Sequence, residues 1–314
     1  MRCVVTGASG FLGSWLVRQL LQEGHSVIVL MRNSAPSRRN LDWLKDVSII
    51  LGTLEDPQSF RSDLKRERVD IFFHLAWFGV TTEFRNHTDQ ISTNVIGSLR
   101  LWELARDIGC TQWIGVGSQA EYGPYDGVLT ETLPTNPATA YGMAKLATGL
   151  LTCKMSEMSD MRHAWVRLLA TYGPGDDPKH LIPSVIMALS AGITPPLTKG
   201  EQIWDYVYVS DAVRALCRIA ATQATGIFNL ASGETSTVRN IVEILRDYID
   251  PSAHLRFGDI PYAPDQIMHL EADTTRLREA TDWYPTINLA TGLRNTVDWW
   301  RANGLESAKS TSPR

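Results

Sequence analysis

Short apolar runs recur along the first half of the chain, each closed by a turn or a charge. They are Arg2–Thr6, Ser26–Met31, Val47–Leu51, Asp70–Leu75, Gln112–Gly117 and His163–Leu169. Runs of this length with little polar alternation predict strands buried on both faces. Between the first two lies GSWLVRQLLQEG, where Leu16, Leu20 and Leu21 share a helical face and Gly24 fits the C′ stop. Asp56-Pro57 reads as an N-cap followed by proline at N1. Residues 94–108 predict a further helix, with Val95, Leu99, Trp102 and, less strictly, Leu101 facing inward. Strands alternating with helices predict an α/β fold built on a parallel sheet covered on both faces.

After Leu169 the rhythm loosens. Pro174, Pro178, Pro183, Pro195 and Pro196 mark turns and shorter elements, and GIFNLAS at 226–232 predicts one more buried strand returning to the sheet. A second, smaller lobe is therefore expected from two separate insertions. The expected division is 1–173 with 205–231 for the main domain, and 174–204 with 232–303 for the lobe. The tail at 304–314 is expected to be flexible. No internal repeat is visible.

Composition narrows the class. The formal net charge of −4 argues against a nucleic-acid partner bound by phosphate neutralisation. No apolar run approaches the roughly 18 residues of a membrane span, and the run at Cys3–Val5 is too short for a targeting signal. Cys3, Cys110, Cys153 and Cys217 lie far apart with no CxxC pair. Buried or half-buried thiols in a reduced cytoplasm are expected, with no disulfide and no metal.

Chemistry enters at the first strand-to-helix turn. VVTGASGFLG places Gly7, Gly10 and Gly13 there, where backbone N–H groups can approach a pyrophosphate at the positive end of a helix. The spacing is G-x-x-G-x-x-G, and the competing reading is a tight turn that needs glycines for packing. ATAYGMAK holds Tyr141 and Lys145 at i, i+4, hence on one helical face, with Pro137 ahead of the helix. An ammonium one turn away is expected to lower the tyrosine pKa toward neutrality and make Tyr141 an acid/base; the competing reading is a surface helix pair. GSQAEYG at 117–123 follows the fifth predicted strand, at the edge where ligands sit in open α/β sheets, and supplies Ser118.

Together these segments resemble the extended short-chain dehydrogenase/reductases of the NAD(P)-dependent epimerase/dehydratase group. The resemblance spans nearly all of 1–303 and is carried by TGASGFLG, HLAW (His74–Trp77), Asn94, GSQAEYG, YGMAK, RLLATYGPGD (167–176), GEQIWDYVYVSDA (200–212) and a late WYP…GL…W pattern. It implies a Rossmann-type doubly wound parallel sheet with a smaller C-terminal substrate-binding lobe. It implies Ser118, Tyr141 and Lys145 as the catalytic triad, with hydride passing between a sugar carbon and a nicotinamide. Thr6, Gly7, Ser9, Gly10, Phe11, Leu12, Gly13, Arg32, Leu54, Leu75, Ala76, Trp77, Asn94, Tyr141 and Lys145 are then the expected cofactor contacts. A nucleotide-sugar substrate and a homodimer, paired through the helices at 94–108 and 137–155, are also implied. Thr81, Gln119 and Trp204 are the substrate candidates, with Thr81 in the loop Phe78–His87. His74 is expected to be a buried structural histidine, while Glu121 faces either the pocket or solvent.

Arg32 ends the second strand, and no acid occupies 27–40; Arg38 and Arg39 follow. An acid there would bind ribose hydroxyls, whereas an arginine suits a 2′-phosphate. NADP(H) is therefore favoured over NAD(H), which tilts the reaction toward reduction of a 4-keto(-6-deoxy)hexose on a nucleotide. A 4-epimerase with retained cofactor, a reductase of a non-nucleotide ketone and a dinucleotide-sensing binding protein are the alternatives. The family's 4,6-dehydratases carry an Asp-Glu pair where Gln119 and Ala120 stand here. The family's usual diphosphate arginine is Trp204, its second arginine is missing from Tyr262, Ala263 and Pro264, and its usual asparagine is Ala170. Lys179, His180, Lys199 or Arg256 are left to hold a diphosphate.

Overall fold

The computed structural model describes residues 1–32 and 41–303; Arg38, Arg39 and the tail at 304–314 lie outside the described residues. The predicted strands are present, their ends moved by a residue or so: β1 (Arg2–Thr6), β2 (Ser26–Met31), β3 (Ser48–Leu51), β4 (Ile71–His74), β5 (Gln112–Ser118), β6 (Arg162–Leu168) and β7 (Gly226–Leu230). They form one sheet in the order β7-β6-β5-β4-β1-β2-β3, parallel throughout. The order reverses direction at β1, which opens a crevice beyond the carboxyl ends of β1 and β4.

Seven helices are used below: α1 (Phe11–Gln22), α2 (Gly97–Asp107), α3 (Ala140–Glu157), α4 (Leu181–Ser190), α5 (Val209–Thr222), α6 (Val238–Ile249) and α7 (Leu289–Asn303). Alternate strand residues take opposite faces. Cys3, Val5 and Phe73 pack with Leu16, Val17 and Leu216 of α1 and α5, while Val4, Phe72 and Trp113 pack with Leu101 and Trp102 of α2. α1 stops as expected. Gly24 takes φ 76°, Gly24 N–H bonds the Leu21 carbonyl at 3.0 Å, and His25 N–H bonds that of Leu20 at 2.9 Å, the two closing bonds of a Schellman motif. Asp56 occupies the N-cap of a short 3₁₀ turn with Pro57 at N1, but its side chain makes no cap bond.

The helix expected over 94–108 begins earlier and differently. A π-helical stretch, Gln90–Ile96, runs into α2. Leu99 is only half-buried, a correction to the expected inward face, which instead runs through Ser98, Leu101, Trp102 and Ala105. Small residues set this register. A Cβ on Gly97 would sit 2.4 Å from the carbonyl oxygen of Leu54 in the loop after β3, and Ser98 Oγ lies 2.8 Å from His74 Nε2 at the end of β4.

A second sheet has Ile203–Tyr208 flanked by Thr235–Thr237 and His269–Ala272, with Val128–Leu129 beyond, so it draws strands from both sides of the expected division. Ala170–Tyr172 also pairs with Ile203–Tyr208, which then leads into α5. Ile186, Ile241, Leu245, Leu293 and Val297 close a separate core between α4, α6 and α7. All four cysteines are free, Cys153 half-buried and the others buried. Among the described residues no helix is long and apolar enough to cross a membrane.

Candidate active site

Parallel register brings the candidate residues to one edge. Thr6 lies opposite Leu30 on one side and His74 on the other, and Ser118 ends β5 opposite Leu168. The glycine turn, Arg32, residues 75–77 and Ser118 therefore all leave the sheet at its carboxyl edge.

The turn after β1 needs its glycines. Gly7 adopts φ 70°, and a Cβ there would lie 2.7 Å from the Ala76 backbone nitrogen; one on Gly13 would lie 2.1 Å from the Gly7 carbonyl oxygen. Gly10 N–H closes the turn on that same carbonyl at 2.9 Å. Gly10 is the N-cap of α1 and contributes no side-chain cap; helix N-termini of this kind suit an anionic group. Ser9, Phe11 and Leu12 line this turn half-buried. Thr6 serves the adjacent strand end. Its Oγ1 accepts the N–H groups of Leu75 and Ala76, both at 3.1 Å, so its one proton goes to His74 Nδ1 at 3.0 Å. His74 then donates from Nε2 to Ser98 Oγ at 2.8 Å. Burial, helped by the Lys145 charge, pushes the His74 pKa down to about 3. His74 is the structural histidine expected.

Asn94 is fully buried, and its amide is committed to the chain after β4. It accepts from Phe78 N–H at 2.8 Å and donates to the Phe78 carbonyl at 2.9 Å and to Gln90 Oε1 at 2.9 Å. Gln90, one turn earlier, donates to the Gly79 and Phe84 carbonyls and accepts from the Trp77 indole at 3.0 Å. These two amides hold the loop over the site. Neither apolar pattern nor motif pointed to Gln90, because its partners, two backbone carbonyls and the side chains of Trp77 and Asn94, are brought to it only by the fold.

α3 starts at Ala140, with Thr139 as N-cap accepting from Gly142 N–H at 3.1 Å. Tyr141 N–H donates to the Arg85 carbonyl at 2.8 Å and Ala140 N–H to Asn86 Oδ1 at 3.0 Å, which ties the loop to the helix end. Tyr141, Ser118 and Lys145 are all buried. Lys145 Nζ donates to the Val116 carbonyl at 2.7 Å and lies 3.7 Å from the centre of the Trp77 ring, which meets Tyr141 edge-on. Burial lowers the Lys145 pKa to about 7, against the opposing pull of Glu121.

The expected lowering of the Tyr141 pKa does not occur. Burial raises it, Glu121 adds to the rise, and only a hydrogen bond with Ser118 and the charge of Arg85 oppose it. The Arg85 guanidinium lies 5.7 Å from the Tyr141 ring centre. Desolvation outweighs charge here, and the opposing cation comes from a loop rather than from the helix. Glu121 faces neither pocket nor solvent. It is fully buried beneath Ser118 and paired with Arg167 at 2.8 Å.

The substrate candidates are spread around the rim. Gln119 and Thr81 are half-buried on the two loops flanking Ser118 and Tyr141. Trp204 is half-buried, stacks on Tyr206 with centroids 5.8 Å apart and donates to the Ile267 carbonyl at 2.9 Å. It walls a cleft of about 390 Å³ with Lys179, Leu197, Gln202 and Phe257. His180 is held by Asp176 at 2.8 Å, which raises its pKa. Arg256 pairs with Asp259. Arg32 is exposed directly after β2.

The likeness to known proteins spans almost the whole chain. The UDP-glucose 4-epimerase of Mycolicibacterium smegmatis is 29% identical, over 96% of this chain and 99% of the relative. The crystal structure of UDP-glucose 4-epimerase from Thermotoga maritima with UDP-glucose superposes with a TM-score of 0.85 at 26% identity, covering 96% of this chain and 99% of that one. MoeE5 in complex with UDP-glucose and NAD does so with a TM-score of 0.82 at 25% identity, covering 96% and 99%. The family model for the NAD dependent epimerase/dehydratase family matches residues 3–231, and the chain, with its glycine turn and its Ser118–Tyr141–Lys145 cluster at one sheet edge, belongs to that family.

Proposed function

We propose that this protein transfers hydride at a carbinol or carbonyl carbon of a nucleotide-linked sugar, with reduction of a 4-keto(-6-deoxy)hexose as the primary reading. The observation that carries it is the Ser118–Tyr141–Lys145 cluster beside the Gly7–Gly13 turn. The residues present fit a dinucleotide: Gly7 and Gly13 let the turn pack against Ala76 and back on itself, and Gly10 puts no side chain over the N-terminal end of α1. A bound nicotinamide supplies the hydride chemistry. Gly7, Gly10, Gly13 and the α1 end would hold its diphosphate, and Lys145 its ribose. Ser118 and Tyr141 would bond the substrate oxygen. Tyr141 keeps its proton in this site, the form that a carbonyl gaining a hydride draws on.

Gln119 and Ala120 supply no acid pair for dehydration. A second reading, 4-epimerisation with the cofactor retained, is favoured by the likeness to the Mycolicibacterium epimerase. On the cofactor, Arg32 supports NADP(H), while the NAD complex among the solved relatives leans toward NAD(H). The cleft at Trp204 suits a base and Lys179 a phosphate. Homodimer formation is supported by Ile96, Met143, Leu150 and Leu151, which expose apolar surface on or beside α2 and α3.

Incubation with NADPH or NADH and a 4-keto nucleotide sugar tests the first reading; net oxidation of the cofactor is expected. Interconversion of UDP-glucose without net cofactor change would favour the second. Neither reaction with any nucleotide sugar overturns both. Thermal stabilisation by NADP+ against NAD+, in wild type and Arg32→Ala, decides the cofactor.

A further inference from the structure

We propose that Glu121 is the positioning residue of the active-site serine: its buried carboxylate sets where the Ser118 hydroxyl stands against Tyr141. Its rate measurement rests on the hydride-transfer reading, while its titration measurement does not.

Glu121 ends the 3₁₀ turn Gln119–Glu121 that follows β5. Its Oε1 accepts from Ser118 N–H at 2.9 Å and from the Trp165 indole at 3.0 Å. Its Oε2 accepts from Arg167 Nε at 2.8 Å. Ser118 Oγ in turn accepts from Ala120 N–H at 3.2 Å, completing a capping box around a single turn. Both the backbone and the hydroxyl of Ser118 are thus pinned. One lone pair of Oγ is spent on Ala120, leaving its proton and remaining lone pair for Tyr141 and a substrate oxygen.

The surroundings are shaped to admit this carboxylate. A Cβ on Gly117 would lie 2.2 Å from Glu121 Oε1 and 2.4 Å from Trp165 Nε1. Cβ atoms on Gly115 and Gly149 would strike the same indole, at 2.4 and 2.7 Å. Three glycines on β5 and α3 therefore make room for one tryptophan and one acid. Arg167, buried beside them, stacks its guanidinium 4.5 Å from the Tyr122 ring centre, and the Tyr122 hydroxyl donates to Asn229 at 2.6 Å. A buried carboxylate is costly without such partners. Here it is held by three donors, one of them from the serine itself.

The test is a cycle of wild type, Ser118→Ala, Glu121→Gln and the double variant. The first readout is the titration of Tyr141, followed by phenolate absorbance as the difference from the same protein carrying Tyr141→Phe. If Glu121 acts through Ser118, the midpoint shift caused by Glu121→Gln differs according to whether Ser118 is present or replaced by alanine. If it acts only as a charge or a space-filler, the shift is equal in both backgrounds, and the proposal falls. The second readout is the single-turnover rate with UDP-glucose and with a 4-keto nucleotide sugar. Glu121→Gln is expected to lower it by roughly ten- to hundredfold with little change in KM, and by less than about threefold once Ser118 is gone. Losses that multiply instead overturn it. Should Glu121→Gln not fold, Glu121→Asp keeps the charge but withdraws it from Ser118; its Tyr141 midpoint must then move only where Ser118 is present, and a midpoint identical to wild type overturns the proposal.

Discussion

Lys145 aims its Nζ at the face of Trp77, 3.7 Å from the ring centre, while donating to the Val116 carbonyl at 2.7 Å. A cation over an aromatic face out of water is stabilised by about 2 kcal/mol, so Trp77 helps keep a desolvated lysine charged. Trp77→Leu removes that face. The Lys145 pKa, already down at about 7, is expected to fall further by roughly one unit. A pH–rate limb that stays where wild type has it would contradict this role.

Tyr141→Phe deletes one buried hydroxyl whose partner is Ser118. Stability should change by about 1 kcal/mol, whereas turnover should drop by roughly 10²–10⁴. Urea melts and initial rates on the same preparations check both. Retention of more than a tenth of the activity would remove Tyr141 from the chemistry.

Two glycines with nearly equal φ separate strain from collision. Gly24 at φ 76° has open space where a Cβ would go, and Gly7 at φ 70° has the Ala76 nitrogen at 2.7 Å. Gly24→Ala should cost about 1 kcal/mol. Gly7→Ala should cost more and abolish thermal stabilisation by NAD+ or NADP+, because the loop must move off the β4 end. Equal melting shifts with cofactor in both variants would sink the cradle assignment.

His74 makes acid lability predictable. Its pKa is about 3 folded against 6.5 for the ordinary side chain. Between those values the unfolded chain binds the extra proton, so stability rises with pH and is lost as pH falls from 6.5 toward 3. The loss is at most about 5 kcal/mol. His74→Asn should reduce the slope of the urea midpoint across that window without abolishing it, because His163, pushed by burial down to about 4, keeps its own share. A slope unchanged by the substitution would assign the lability elsewhere.

Much of the fold was legible because its signals are local. Runs such as Val27–Met31, buried on both faces, mark parallel strands wherever they occur. The Gly7–Gly13 turn and the Tyr141–Lys145 spacing are each contained in a few residues, and Gly24 stops α1 by its own backbone freedom. Leu99 was misjudged because a π-helical stretch and the small pair Gly97–Ser98, rather than the large side chains, decide which face of α2 meets the sheet.

The sequence by itself determined the order of chemistry along the chain: a glycine cradle, a serine at a strand end, a tyrosine and lysine one turn apart. Only the tertiary structure decided what surrounds them. Trp165 and Arg167 lie on β6, beyond α3 in the chain, yet hold Glu121; Arg85, from a loop, opposes the burial of Tyr141 where Lys145 was expected to. Periodicity reports which face of an element is apolar. The proton affinities of buried groups depend on how far water is excluded and on which charges other segments bring near, and those are properties of the packed chain.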